Sequence, residues 1–295
     1  MAVESVELTA TKSVAADKLA RIKNTFDEQG YCILKGVLPL DVVEGFKRAM
    51  SRLSDRALTT AKAEGKIKNL HSDKPFENRL IHVAQECLEA APSRFREELH
   101  EPEVFSFLLN PVLLDIAETF LGGEIRIYPN YMCRPKMPGD ERQLIWWHQD
   151  AQYTANHKLP GDVGELRTVN LWSPLLPAHR EHGCMQFAPG THKLGLVPYH
   201  TKGIHLEIDN DVLKPYIDKA IDIELEPGDV VIFHNMLFHQ GLPNVSNRIR
   251  WSVDWRFQDA TQPTLRPHNG HVARSRKNPA AQVQDAKHWA SLKFQ

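Results

Sequence analysis

The spacing of apolar and polar positions along this chain changes period once, near residue 124. Before that point it is helical. Leu19, Ile22 and Phe26 recur on one face, and Gly30 ends that helix. A short apolar strand, Tyr31-Cys32-Ile33-Leu34, and a turn, Gly36-Val37-Leu38-Pro39, lead to a second helix. Asp41 can cap it, and its buried face is Val42, Val43, Phe46 and Met50. Residues 51–80 are charged and irregular, with Gly65 and Pro75 as breakers. They predict helix fragments and an excursion near a pocket mouth. Residues 81–121 predict helix again. Pro111 opens the last one (Val112, Leu113, Ile116, Phe120) and Gly122-Gly123 stops it. Residues 1–15 show no periodicity and predict a flexible tail.

From Glu124 the pattern alternates, beginning with Glu124-Ile125-Arg126-Ile127-Tyr128. Strand-like runs follow at Asn130–Arg134, Trp146–Gln152, Arg167–Ser173, Met185–Ala188, Ala220–Leu225, Val230–His234 and Arg250–Phe257. Pro138-Gly139-Asp140, Pro160-Gly161-Asp162, Pro189-Gly190 and Pro227-Gly228-Asp229 separate them. Helices first and strands after predict one mainly β domain, a jelly-roll-like barrel with helices packed on one sheet. Its helical region is 16–121, its β core 124–257 and its C-terminal lid or tail 258–295.

Two strands carry more than a period. In Arg250–Phe257 one face is Trp251, Val253, Trp255, Phe257 and the other Arg250, Ser252, Asp254, Arg256. In Arg167–Ser173 one face is Thr168, Asn170, Trp172 and the other Val169, Leu171. A surface strand gives the same alternation. The reading preferred here turns the polar faces into the barrel, where they line a wet site, and the apolar faces under the helices.

Composition alters little. The chain has 295 residues, 42% hydrophobic and 25% charged, with a formal net charge of -1. That charge points to neither nucleic acid nor an anionic membrane as a partner. The N-terminus has no secretory pattern, and no apolar run reaches the length of about 18 residues that would span a bilayer. The four cysteines, Cys32, Cys87, Cys133 and Cys184, are scattered and form no CxxC pair. They read as reduced thiols, which predicts a cytoplasmic protein. A monomer or homodimer acting on a small molecule is expected.

The candidate chemistry lies at Trp146-Trp147-His148-Gln149-Asp150. On an extended segment His148 and Asp150 share a side and can grip one metal ion. His239 is the candidate third ligand. Two His and one carboxylate on one face of a metal are the donor set of non-haem Fe(II) oxygenases. With 15 histidines in the chain, an HxD pair also arises by chance. His157, His182, His192, His200, His205 and His234 compete for the third place.

Several segments resemble the phytanoyl-CoA dioxygenase family. Gly183-Cys184-Met185-Gln186-Phe187-Ala188-Pro189-Gly190-Thr191-His192-Lys193 is similar to that family's NGC…PGSH segment. Pro227-Gly228-Asp229-Val230-Val231-Ile232-Phe233-His234, then His239, Asn244, Ser246 and Arg250, follow in the family's order. Gln29-Gly30-Tyr31 and Gly36-Val37-Leu38-Pro39 fit its N-terminal pattern. The resemblance implies a double-stranded β-helix (cupin-like) fold, Fe(II), 2-oxoglutarate and O₂. It places the iron ligands at His148, Asp150 and His239. The arginine for the distal 2-oxoglutarate carboxylate falls at Arg250, which a planar guanidinium suits; Arg248 is its near competitor. Trp172 and Asn130 match positions beside 2-oxoglutarate, although core packing explains a tryptophan equally well. Gln240-Gly241 stands where the family commonly has Gly-Ser, so that hydroxyl contact is missing or is supplied by Ser252 or Thr168. His182 stands where an Asn is usual.

The implied reaction is hydroxylation of a small polar or natural-product substrate, with release of succinate and CO₂. Gln152, Tyr153, Asn170 and Arg256 are the candidate substrate contacts, and 153–166 and Arg266–Lys277 the candidate lids. A cupin-like enzyme without 2-oxoglutarate and a non-catalytic binding protein on the same fold are the competing functions. Arg250 is what such a cupin does not need.

Overall fold

Two mainly antiparallel sheets pack face to face, and a layer of helices covers the outer side of the larger one. The computed structural model describes residues 5–8, 14–203 and 205–295. In chain order the elements are β1 (Ser5–Glu7), α1 (Ala16–Gln29), β2 (Tyr31–Lys35), α2 (Leu40–Ala63), α3 (Arg79–Glu86), α4 (Pro102–Leu108) and α5 (Pro111–Leu121). There follow β3 (Glu124–Ile127), β4 (Met132–Lys136), β5 (Ile145–His148), α6 (Asp150–Ala155), β6 (Thr168–Pro174), β7 (Met185–Ala188), β8 (Tyr199–Lys202) and β9 (His205–Ile208). The chain closes with α7 (Asn210–Ile217), β10 (Ile221–Ile223), β11 (Val230–Phe233), β12 (Phe238–Gly241), β13 (Arg250–Asp259), β14 (His271–Ser275) and α8 (Ala286–Ser291).

The larger sheet runs β1-β2-β11-β6-β13-β3-β14, and the smaller β10-β7-β12-β5. The two sheets do not close on each other. β13 is the spine. It pairs with β6 from Ser252 to Gln258, and its other edge is shared between β4 and β3. Its alternation decides the layering. Trp251, Val253, Trp255 and Phe257 are buried in the main core with Phe46, Phe107 and Leu113 of the helices. Phe107 lies 5.6 Å from Trp255, and Phe76 stacks 4.6 Å from Trp251. Arg250, Ser252, Asp254 and Arg256 turn the other way, into the space between the sheets. Apolar packing of Tyr31, Ile33, Trp172 and Phe233 against Phe187 and Ile223 closes the sandwich at one end. The polar-inward arrangement expected from sequence is therefore present.

Five expectations differ. Residues 91–101, expected to be helical, hold no helix. Residues 5–8 are not a loose tail: β1 pairs in parallel with β2, and Val6 and Leu8 are buried. A three-residue strand is too short to display a period. α2 is one helix of 24 residues that starts after Pro39 with Asp41 in its first turn, not as its cap. It continues through residues 51–63 because Leu53, Leu58 and Ala61 keep a buried stripe among the charges. The strand expected at Trp146–Gln152 stops at His148, and Asp150 begins a helix. The C-terminal stretch is also not a simple lid or tail. β14 joins the sheet beside β3, and α8 buries Trp289 completely.

Candidate active site

His148 and His239 face each other directly in the β5–β12 pairing. Their Nδ1 atoms lie 2.7 Å from the Trp146 carbonyl and 2.8 Å from the Leu237 carbonyl. A carbonyl only accepts, so each Nδ1 carries the proton and each Nε2 turns a lone pair inward. Asp150 arrives by another route. Gln149 caps α6: its backbone N–H donates to Gln152 Oε1 at 3.1 Å, and the Gln149 side chain donates to the carbonyls of Gly195 and Met236. The chain thereby turns at Asp150 and swings its carboxylate under both imidazoles. Asp150 Oδ1 is 3.6 Å from His148 Nε2 and 3.9 Å from His239 Nε2. One donor atom from each of the three lies within 4.8 Å of the other two. The strand alternation expected to align His148 with Asp150 is not what aligns them; a helix cap does that work.

The second Asp150 oxygen is occupied. Oδ2 accepts from Asn170 Nδ2 at 2.7 Å and from Arg256 Nη2 at 2.6 Å. Burial alone would raise this carboxyl. Arg256, His148 and His239 outweigh it and hold Asp150 well below the usual carboxylate range. Burial, with the neighbouring His148, pushes His239 down to about 3, so its imidazole is neutral and available as a ligand. Phe233 packs edge-on against the His239 ring at 5.0 Å and keeps water from that side.

Arg250 lies at the start of β13 and is buried, with its guanidinium 5.4 Å from the centre of the Trp172 ring. Its Nε has no hydrogen-bond partner, and no carboxylate pairs with it among the described residues. Burial and then Arg134 lower it to about 10, so it stays charged at neutral pH. An unpaired buried guanidinium is costly unless an anion joins it. A small cavity of ≈ 70 Å³ connects Arg250 to Asp150 and both histidines, with Trp172, Ser252 and Asp254 on its wall.

The other expected site residues divide. Asn170 and Arg256 do reach the centre, but as donors to Asp150. Gln152 does not: it is fully buried and its amide is spent on the α6 cap and the Val197 carbonyl. Tyr153 packs edge-on against His148 at 5.3 Å, and its hydroxyl accepts from the Leu206 N–H. Asn130 contributes its carbonyl, which accepts from Arg256 Nη1 at 2.7 Å. Thr168 opposes Gln258 at the far end of β13 from Arg250, and its hydroxyl has no partner among the described residues. Ser252, in contrast, lines the cavity. Arg248 is spent on His182, at 3.0 Å from its Nε. His234 packs with His192 and Phe26 away from the triad.

Two cations escaped the sequence reading, Arg134 and Lys136 of β4. Lys136 opposes Arg250, is buried, and donates to the carbonyls of Gly241 (3.1 Å) and Leu242. Burial, then Arg250 and Arg134, push its amine down to about 6. The parity of Met132, Arg134 and Lys136 was the available signal. The run expected at Asn130–Arg134 already held Arg134 on the parity of Asn130 and Met132, and Lys136 lay just beyond its expected end.

The phytanoyl-CoA dioxygenase (PhyH) family pattern matches residues 26–252. This chain belongs to the phytanoyl-CoA dioxygenase family. Among curated relatives, it is 28% identical over 256 residues to the 1-deoxypentalenic acid 11-beta-hydroxylase of Streptomyces arenae, covering 80% of each chain. It is 22% identical to the peroxisomal phytanoyl-CoA dioxygenase of Homo sapiens, covering 80% of this chain and 67% of that one. Among solved structures, EctD from S. alaskensis with 2-oxoglutarate and 5-hydroxyectoine superposes with a TM-score of 0.61 at 19% identity. The match covers 96% of this chain and 88% of that chain. This family member is a non-haem Fe(II)- and 2-oxoglutarate-dependent oxygenase on a jelly-roll fold.

Proposed function

We propose that His148 Nε2, Asp150 Oδ1 and His239 Nε2 hold the Fe(II), that Arg250 binds the distal carboxylate of 2-oxoglutarate, and that the enzyme hydroxylates an unactivated C–H bond. The observation that carries this reading is the buried guanidinium of Arg250, without an anion of its own, in the cavity that also holds the triad. The donor set fits the metal: two imidazoles and one carboxylate on one side leave the other side open. Bound Fe(II) supplies the redox chemistry by which 2-oxoglutarate and O₂ become succinate and CO₂ while one oxygen atom enters the substrate C–H bond.

The remaining work is positional. Arg250 fixes one end of the cosubstrate bidentately, with Trp172 beside it. Asn170 and Arg256 hold Asp150 Oδ2, so that Oδ1 alone faces the metal position. Phe233 and the buried wall near His239 exclude water from the reacting atoms. The free thiols of Cys87, Cys133 and Cys184 agree with a cytoplasmic location, which is part of this proposal. A monomer or homodimer is expected in solution.

The test is succinate formation from 2-oxoglutarate by protein loaded with Fe(II), without added substrate. Slow uncoupled turnover that Arg250→Gln removes supports the reading. No succinate from the wild-type protein with iron bound rejects it, and the cupin-like alternative then takes its place.

A further inference from the structure

We propose that the substrate is an organic acid whose carboxylate is received by Arg134 at the mouth of the active-site cavity. The inference rests on the assignment of Arg250 to 2-oxoglutarate and concerns a different guanidinium. Arg134 sits on β4 opposite Ser252 of β13 and lines the cavity. Its side chain is 35% exposed, against 8% for Arg256, so it is the guanidinium that incoming solute meets.

Its protein partners are incomplete. Arg134 Nε lies 3.5 Å from Asp254 Oδ2 and also points at Met132 Sδ at 2.9 Å. The other Asp254 oxygen already accepts from Arg256 Nη1 at 3.1 Å. One carboxylate thus serves two guanidiniums. The two terminal nitrogens of Arg134 have no hydrogen-bond partner among the described residues. His205 and Tyr153 lie close enough to feel its charge and bring no acid to neutralise it.

The charge balance of the loaded chamber points the same way. Three guanidiniums (Arg134, Arg250, Arg256) and two carboxylates (Asp150, Asp254) line it. Fe(II) and the 2-oxoglutarate dianion cancel each other. One positive charge is left over even with Lys136 neutral, and it sits at the opening. In a partly desolvated cavity such a charge attracts an anion, and a planar guanidinium with two free nitrogens matches a carboxylate in both geometry and sign.

The experiment uses full-length protein, loaded anaerobically with Fe(II) and 2-oxoglutarate, and follows the visible charge-transfer band of the chelate. The probes are benzoate, cyclohexanecarboxylate and decanoate, each against its primary amide. We expect the acids to perturb the band with dissociation constants roughly ten- to a hundredfold below those of the amides, the span of one charge-assisted hydrogen-bonded contact. Arg134→Gln should erase that difference while 2-oxoglutarate affinity moves less than about threefold, and Arg134→Lys should restore part of it. Equal response to acids and amides, or no response to any acid, overturns the proposal. So does a loss of 2-oxoglutarate affinity in Arg134→Gln as large as in Arg250→Gln, since Arg134 then serves the cosubstrate. Failure of the band to form in wild-type protein instead overturns the iron and 2-oxoglutarate assignment, and this proposal with it.

Discussion

Arg256 Nη2 donates to Asp150 Oδ2 at 2.6 Å, from a guanidinium that is itself held by the Asn130 carbonyl and Asp254. Together with Asn170 this contact takes one carboxylate oxygen out of play and aims the other at the two imidazoles. Removing outer partners of metal ligands typically costs about 10–100-fold in metal affinity or activity. Arg256→Gln and Asn170→Ala should each weaken Fe(II) binding within that range, as measured by anaerobic metal titration. Unchanged metal affinity in both variants would show that the ligand needs no such support.

Arg250→Gln should raise the dissociation constant of 2-oxoglutarate by at least ~30-fold, since losing one partner of a buried charge pair costs about 2 kcal/mol or more. Metal affinity without 2-oxoglutarate should stay close to wild type. The comparison of the two titrations separates loss of the clamp from collapse of the site.

Acid should loosen the C-terminal segment. Burial, with His100 adding to it, pushes the His271 imidazole down to about 4, and its Nε2 pairs with the Lys293 carbonyl at 3.0 Å. An unfolded histidine titrates near about 6.5. Between those values the unfolded chain binds more protons than the folded one. This contribution is therefore fully present above about pH 6.5 and is lost as pH falls toward about 4. Urea midpoints should drop across that window, and His271→Asn should flatten the slope.

Trp255 is fully buried, against Phe107. Trp255→Ala should destabilise the fold by about 3–5 kcal/mol, the usual cost of truncating a core aromatic. Its neighbours Asp254 and Arg256 face the other way. Chemical denaturation should therefore show the loss while 2-oxoglutarate affinity in the cold persists.

The layering was legible in the sequence because β13 is long enough for its two faces to declare themselves. The meeting of His148 with His239 was legible through segment order rather than local pattern. What stayed hidden depended on partners. Gln152 looks like a site residue until the α6 cap consumes its amide, and Arg256 reads as a substrate contact until Asp150 turns toward it. Thr168 shares a face with Trp172 but lies too far along the strand. β1 exists because β2 offers an edge, which no three-residue window can announce.

The most direct test of the triad is anaerobic addition of Fe(II) and 2-oxoglutarate to wild-type, His239→Ala and Asp150→Ala proteins, read as the visible charge-transfer band and then, on admitting air, as succinate. The account predicts a band and succinate in the wild type, and no succinate from either variant. Succinate from Asp150→Ala at a rate near wild type, with iron bound, would contradict it.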